Sequence, residues 1–387
     1  MSIKRLLTKD KDTIFWSVKI FFIWRISLFI FAWIGIHVLP FKNSFPYVKE
    51  ILQPFGNPLF WSWANFDGVH YLGIAQKGYF AQFTQAFFPL YPLLIRWLNI
   101  FFNNLLFSGL FISNFTFLSA IYFLYKLLSL DYDKKIVRNT IIFLVFFPTS
   151  FFFGSLYSES LFLLLIISSL YLARKKNLFL AGFLGILASL TRIIGVLAIP
   201  AFLWEWNESI KRKKKTLKDY FGLLYSIMPI AGLGIYMKFL QDNYSDALYF
   251  FHAQPAFGAS RTTNRIILLY QVFYRYIKML FSFNGDYLFY YAVSLEFIVA
   301  IIFLFLLILG FKQKIRASYQ IFSVLGYLLP TLTGTFSSLP RYVLVLFPCF
   351  IILGSIKKNL IRNFLLFTFC FLLGICTIFF TRGYWVA

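Results

Sequence analysis

The sequence predicts an all-α polytopic membrane protein: a bundle of about 11 transmembrane helices with a long first loop on the outer side. Three observations carry this. Of 387 residues 60% are hydrophobic and only 13% charged, where soluble domains carry about a quarter, and mean hydropathy is +0.75. Apolar runs such as "FFIWRISLFIFAWIGIHVL" and "LLFSGLFISNFTFLSAIYFLYKLL" are continuous and long enough to cross a bilayer, whereas barrel strands alternate every second residue. The net charge of +23 is concentrated between those runs: "KRLLTKDK", "DKKIVR", "ARKKN", "KRKKKTLK", "KQKIR" and "KKNLIR" hold 22 of the 37 basic residues. That is the positive-inside pattern, with anionic membrane lipids as counter-charge. It excludes a nucleic-acid partner, because no aromatic-interleaved basic groove accompanies it.

Placing every basic cluster inside gives a consistent path through one integral-membrane unit, 1–387. Span 1 covers about 15–38; it is too long for a cleavable signal and lacks a small-residue cleavage site. Residues 39–103 form the first outer loop, with "FFPLYPLLIRW" as a short interfacial stretch. Span 2 (about 104–129) returns inward, and spans 3 and 4 (about 139–155 and 158–173) form a hairpin with "GSLYSES" at its outer turn. The run "LFLAGFLGILASLTRIIGVLAIPAFLWEW" has basic clusters on both sides, so it must enter and leave inside. Two short helices meeting at "SLTR" satisfy that, and such broken elements belong where they line a polar cavity. Span 7 (about 219–239) leads to a second outer segment, 240–287, in which "RTTNRIILLYQVFYRYIKML" has the spacing of an interfacial amphipathic helix. Spans 8 to 11 follow, with "GTFSSLPRY" as an outer connection and "TRGYWVA" ending outside. Cys349, Cys370 and Cys376 all fall in apolar spans and read as packing residues.

With only fourteen acidic residues, elimination is informative. Asp10, Asp12, Asp131, Asp133, Glu205, Glu208 and Asp219 sit among the inner basic clusters and read as charge balance in solvated loops. Glu50, Asp242, Asp246 and Asp286 lie in the outer segments without a local pattern, and Glu296 lies inside span 8. Asp67 in "NFDGVHYLGIAQKGY" and Glu159 in "SLYSES" remain. Each has a plain alternative: both acids could cap helices, His70 could simply pack, and Arg192 and Arg341 could be snorkelling anchors.

Their shared side of the membrane tips the balance toward a site, since polar groups against an apolar bundle are costly unless they work. A carboxylate can deprotonate a hydroxyl acceptor, and arginines can hold a phosphate. Together they suit sugar transfer from a lipid-linked sugar phosphate, because nucleotide sugars are not expected outside. Trp61 and Trp63 could stack on sugar rings, although an interfacial aromatic belt is the simpler reading. No cluster of metal ligands is dense enough to predict a metal, and no cofactor is implied.

Five blocks, "NFDGVHYLGIAQKGY", "AFFPLYPLL", "FFPTSFFFGSLYSESLFLL", "SLTRIIGVL" and "SSLPRYVLVLFP", resemble in order those of the PIG-V-type GPI mannosyltransferase II family, within the GT-C superfamily of glycosyltransferases. The resemblance runs from about residue 15 to the end and is weakest over 207–330. It implies a GT-C type bundle, a polyprenyl-phosphate mannose donor, and inverting transfer to a hydroxyl on a lipid or glycan acceptor. It implies Asp67 as the base, with Phe66 where the family usually has Trp. His70 matches the histidine of that motif, Tyr157, Ser158 and Glu159 match its "YSE" block, and Arg192 and Arg341 match its two arginines. These would bind donor and acceptor, the arginines taking the departing phosphate. The Lys-, Asn-, Ile- and Phe-heavy composition and compact length point to a prokaryotic relative, active on the outer face of the plasma membrane; a eukaryotic one would sit in the endoplasmic reticulum. A transporter or flippase of lipid-linked saccharides is the rival reading, for which repeat symmetry, mid-membrane charges and small outer loops would be expected. A non-catalytic scaffold subunit would tolerate alanine at Asp67, Glu159 and Arg192.

Overall fold

The computed structural model describes residues 10–211, 217–282 and 285–386. The basic clusters at 4–11 and 211–218 therefore fall largely outside the described residues. No strand occurs among the described residues, and the chain runs back and forth as helices.

In chain order, α1 (Lys11–Val38) is followed by the first outer segment, which folds into single turns and two helices, α2 (Asp67–Lys77) and α3 (Leu90–Phe102). Then come α4 (Leu105–Leu128), α5 (Lys134–Val145) and α6 (Glu159–Arg174). The broken pair is α7 (Leu178–Thr191) and α8 (Ala198–Ile210), and α9 (Leu217–Ile227) continues into α10 (Pro229–Tyr244) around Met228. The second outer segment holds α11 (Leu269–Phe281), and the chain closes with α12 (Tyr287–Lys312), α13 (Ala317–Thr331), α14 (Phe347–Gly354) and α15 (Asn359–Thr381).

Crossing a bilayer takes about 20 helical residues at 1.5 Å each. Among the described residues, α1, α4, α12, α15 and the stretch Asp219–Tyr244 are long and apolar enough to do so. The other expected spans are shorter. Span 3 stops being α-helical at Val145 and continues through Pro148 as a tight turn over Ser150–Gly154. Likewise α7 ends at Thr191, and a 3₁₀ turn over Ile193–Leu197 reverses the chain into α8. Proline and glycine interrupt these segments, and the freed backbone groups lie inside protein: Ser150, Phe151, Phe152, Phe153 and Gly154 are all buried. Irregular backbone at membrane depth is tolerated only under such cover.

Aromatic packing holds this irregular layer in place. Trp24 of α1 is fully buried, donates its indole N–H to Ser150 Oγ at 3.1 Å, and lies 4.7 Å from the Phe117 ring, which stacks on Phe153 at 4.3 Å. Helices also approach closely through small residues, as membrane bundles require: a Cβ on Gly232 of α10 would fall 2.3 Å from the carbonyl oxygen of Ile186 on α7. Large apolar side chains such as Phe111, Phe364 and Phe367 point outward instead, the surface a lipid-facing helix presents.

The helix caps are not where the sequence suggested. Asn104, Asp133, Asn177 and Asp286 accept backbone N–H bonds at the starts of α4, α5, α7 and α12. Asp67 and Glu159 instead occupy the first helical position of α2 and α6, preceded by N-caps Phe66 and Ser158, and neither helix start has a side-chain cap bond.

At the end bearing the basic connections, two of the acids expected in solvated loops are buried. Glu205 is 4% exposed and receives the Arg316 guanidinium through two bonds of 2.6 Å. Asp10 is 8% exposed and pairs with Lys126 at 2.6 Å and the Tyr122 hydroxyl at 2.9 Å. A carboxylate leaves water only when paired and hydrogen-bonded, and here charges from distant helices supply that pairing.

Candidate active site

At the opposite end, the starts of α2 and α6, the end of α7 and the connection before α14 converge on a cavity of about 340 Å³. Its walls include Asp67, His70, Glu159, Arg192, Arg261 and Arg341.

The approach to Asp67 is built by the residues before it. Asn65 is fully buried and donates from Nδ2 to the Phe380 carbonyl at 2.8 Å. Phe66 then takes φ +59°, a conformation that costs a bulky residue on the order of 1–3 kcal/mol. Its ring is held by Phe45 at 4.5 Å, Trp385 at 5.3 Å and Phe380 at 5.9 Å. This bend turns the chain into α2 and directs the Asp67 side chain away from the helix it begins.

Asp67 Oδ2 accepts a hydrogen bond from the Arg341 guanidinium. Arg341 Nε lies 3.3 Å from Glu159 Oε1, and the same Glu159 oxygen accepts from Arg192. The result is a zigzag of two carboxylates and two guanidiniums drawn from four separate parts of the chain. Glu159 is 1% exposed and Arg341 8%, so the snorkelling and capping alternatives do not describe these residues. Aromatic faces complete the packing, with Tyr342 5.3 Å from the Arg341 guanidinium carbon and 5.1 Å from that of Arg192. Both acids sit in the first turn of a helix, where the dipole favours negative charge.

The electrostatics of Asp67 follow from this geometry. Burial pushes its carboxyl up, the Arg341 guanidinium more than offsets that, and the charges of His70 and Arg261 add to the effect, so the carboxyl is held below its usual range. Burial moves His70 the other way, below the usual imidazole value, and Asp67 opposes this only in part. His70 is thus neutral at pH 7. Its ring stacks on Phe87 at 5.0 Å and meets the edge of Phe257 at 5.9 Å; it makes no hydrogen bond among the described residues.

Tyr157 is buried behind the cavity wall. Its hydroxyl donates to the Asn65 carbonyl at 2.9 Å and accepts from the Asp67 amide at 3.2 Å. That hydroxyl is committed to shaping the turn that presents Asp67 instead of facing the cavity. Trp61 and Trp63 also stay out of the cavity lining. Trp61 donates to the Gly56 carbonyl at 3.1 Å, while fully buried Trp63 packs over the Arg25 guanidinium at 4.5 Å. Among the described residues, the tryptophan that does line the cavity is Trp385, beside several phenylalanines and tyrosines.

The second outer segment departs from its expected helix. Of the 261–280 stretch, only the part within Leu269–Phe281 is helical; residues 262–267 run beside the outer connection instead, with Thr262 N–H on the Thr333 carbonyl at 3.1 Å and Ile267 N–H on the Leu332 carbonyl at 3.0 Å. This pairing brings Arg261 into the cavity wall. Sequence reasoning missed it by treating the stretch as one amphipathic helix. The signal available was its position on the outer side in a segment otherwise short of charge partners.

A helical integral membrane protein with a buried carboxylate–guanidinium site facing a partly open cavity is the class that fold and site define. Within the chain, residues 40–204 match the family model described as mannosyltransferase (PIG-V). GPI mannosyltransferase 2 of Schizosaccharomyces pombe (strain 972 / ATCC 24843) is 32% identical over 142 residues, 36% of this chain and 31% of that relative. The match thus covers less than a third of the relative's length. The family match contains Asp67, His70, Tyr157, Glu159 and Arg192, and Arg341 reaches them from beyond it.

Proposed function

We propose that this protein is a membrane mannosyltransferase that moves mannose from a polyprenyl-phosphate-linked donor to a hydroxyl on a lipid or glycan acceptor, at the membrane face opposite the basic connections. The observation that carries the reading is the Asp67 carboxylate: ionised, facing the cavity, and clamped by Arg341 at the junction of the four chain segments. The family match supports mannose as the sugar, and the apolar surroundings of the cavity suit a lipid-linked donor.

In the proposed reaction the acceptor oxygen attacks the anomeric carbon as the bond from that carbon to the donor phosphate oxygen breaks. Asp67 takes the acceptor's proton, and polyprenyl phosphate departs with the bonding electron pair. One displacement without a sugar–enzyme intermediate inverts the anomeric configuration. The low basicity of Asp67 suits a proton that is lost late, once bond formation has acidified the attacking hydroxyl. A general base of this kind contributes about 10²–10⁴-fold. Glu159 keeps Arg192 and Arg341 in place, and their remaining N–H groups serve the phosphate as negative charge develops on it. His70, neutral and without a hydrogen-bond partner among the described residues, hydrogen-bonds a sugar or acceptor hydroxyl.

The test is transfer of labelled mannose from purified polyprenyl-phosphate mannose in proteoliposomes, with anomeric configuration read by NMR. An inverted product is expected, with Asp67→Asn slower by at least about a hundredfold. Near-wild-type transfer by Asp67→Asn would sink the assignment of the base. Translocation of the lipid-linked sugar without transfer would replace the enzyme by a flippase.

A further inference from the structure

We propose that Arg261 is the principal ligand of the donor's phosphate, an assignment that rests on the lipid-phosphate donor proposed above and adds a residue to it. The cavity wall holds two carboxylates, Asp67 and Glu159, and three guanidiniums, Arg192, Arg261 and Arg341. Arg192 and Arg341 are spent on the carboxylates, Arg341 on both of them. Arg261 makes no ion pair or side-chain hydrogen bond among the described residues. It is half-buried in the wall of a largely apolar cavity. A guanidinium presents five N–H donors and cannot shed its proton, so the cavity carries one positive charge that awaits an anion.

The backbone around Arg261 is shaped for this placement. Gly258, Ala259 and Ser260 have φ of +75°, +53° and +48° in succession, and two of the three are not glycine. Such conformations persist only where the surroundings enforce them, and they gather at ligand-binding segments. Beyond the turn, the backbone bonds from Thr262 and Ile267 to the 332–333 connection tie Arg261 to the same loop that carries Arg341. A phosphate held by Arg261 would therefore lie within electrostatic reach of Asp67, on whose carboxylate the Arg261 charge already acts. Arg192 and Arg341 keep the two acids charged and positioned and offer the phosphate only their remaining N–H groups, while Arg261 is the principal ligand of the leaving group.

The experiment measures binding apart from transfer. Full-length protein in phosphatidylcholine nanodiscs is titrated with a polyprenyl phosphate and, separately, with the uncharged polyprenol; inorganic phosphate and phosphatidylglycerol serve as competitors. Arg261→Gln and Arg261→Ala are expected to weaken polyprenyl phosphate binding by about tenfold or more, with polyprenol binding unchanged and Arg261→Lys intermediate. Asp67→Asn is expected to lose transfer without weakening polyprenyl phosphate binding. Unchanged phosphate affinity in Arg261→Gln, or an equal loss for phosphate and polyprenol, overturns the assignment, as does a wild-type protein that binds no polyprenyl phosphate. Equal competition by phosphatidylglycerol or inorganic phosphate also overturns it, because the site would then read a bulk headgroup or a free ion. Should wild-type protein bind polyprenyl phosphate through Arg261 yet transfer no sugar, the transferase reading fails while the anion site stands. Should it transfer sugar with Arg261→Gln unimpaired in donor KM, the reverse holds.

Discussion

Replacing Arg341 by Met should shift the pH at which Asp67 stops working. Two opposing influences act on this carboxyl, burial raising its pKa and the guanidinium lowering it, and the second wins. An opposite charge within about 4–6 Å typically lowers a carboxyl by 1–3 units. Its ordinary value is 3.8, so the wild-type acid limb of kcat/KM lies below that pH. Methionine keeps the length and apolar bulk of the arginine stem but removes the charge, leaving burial unopposed. Losing that depression, with burial still raising the carboxyl, then lifts the acid limb above the ordinary carboxyl value. Arg192 still pairs with Glu159, so the rest of the zigzag keeps one cation.

The assay is kcat/KM for mannosyl transfer in proteoliposomes, followed downward from neutral pH until each protein loses activity, with Arg341→Lys as the variant that retains a charge. The height of each profile falls in both variants, because Arg341 also serves the phosphate; the argument rests on the position of the limb. The Met limb should move upward, and the Lys limb by less. The same depression sets the sign for stability. The Asp67–Arg341 pair stabilises the fold fully above the ordinary carboxyl value, and the stabilisation is lost as pH falls through the lower, folded value. An unmoved limb in Arg341→Met, or a wild-type limb near pH 6, would refute the reasoning that Arg341 controls the charge of Asp67.

Removing the Tyr157 hydroxyl in Tyr157→Phe leaves the Asn65 carbonyl and the Asp67 amide without their shared partner, a loss of about 1–3 kcal/mol in thermal or denaturant unfolding. Because that hydroxyl shapes the turn without facing the cavity, kcat should fall about ten- to a hundredfold while donor KM holds; a rise in KM alone would return Tyr157 to substrate binding. Gly334→Ala is expected to destabilise by about 1–3 kcal/mol, since Gly334 has φ +92° and an added Cβ would lie 3.0 Å from Ile267. Limited proteolysis should then open the 255–268 segment first, and a wild-type cleavage pattern would show that the pairing with the 332–334 connection does not hold that segment.

The helical, membrane-spanning character was legible because it depends on summed hydropathy, which local detail barely perturbs. The broken pair around Arg192 was legible for a related reason: basic clusters on both sides of one apolar run admit few paths. The elimination that left Asp67 and Glu159 also identified the two acids that meet at the cavity. What escaped is tertiary in origin. Glu205 and Asp10 look like solvated loop charges because their partners Arg316 and Lys126 lie more than a hundred residues away. Tyr157 looks like a substrate contact because no pattern reveals that its hydroxyl is consumed by two backbone groups. Arg261 was hidden by a periodicity that begins eight residues after it, and only the bonds to the 332–333 connection show that this stretch is not helix.

The charge arrangement explains why the site occupies the irregular layer of the bundle. A regular helix satisfies its own backbone, and its side chains point sideways into lipid or neighbouring helices. The first residues of α2 and α6, the residue after α7 and the turn before α14 instead bring their side chains together in one small volume. Each interruption costs backbone hydrogen bonds, which the buried Ser150–Gly154 turn and the Tyr157 and Asn65 bonds restore. Four charges in that volume would be unfavourable if any one lacked its partner. Hence removing Glu159 should disturb both arginines at once, whereas removing Arg261, which neutralises neither acid directly, should leave the zigzag intact. The same asymmetry separates the groups that hold the site together from Arg261, which makes no ion pair among the described residues and can take an anion.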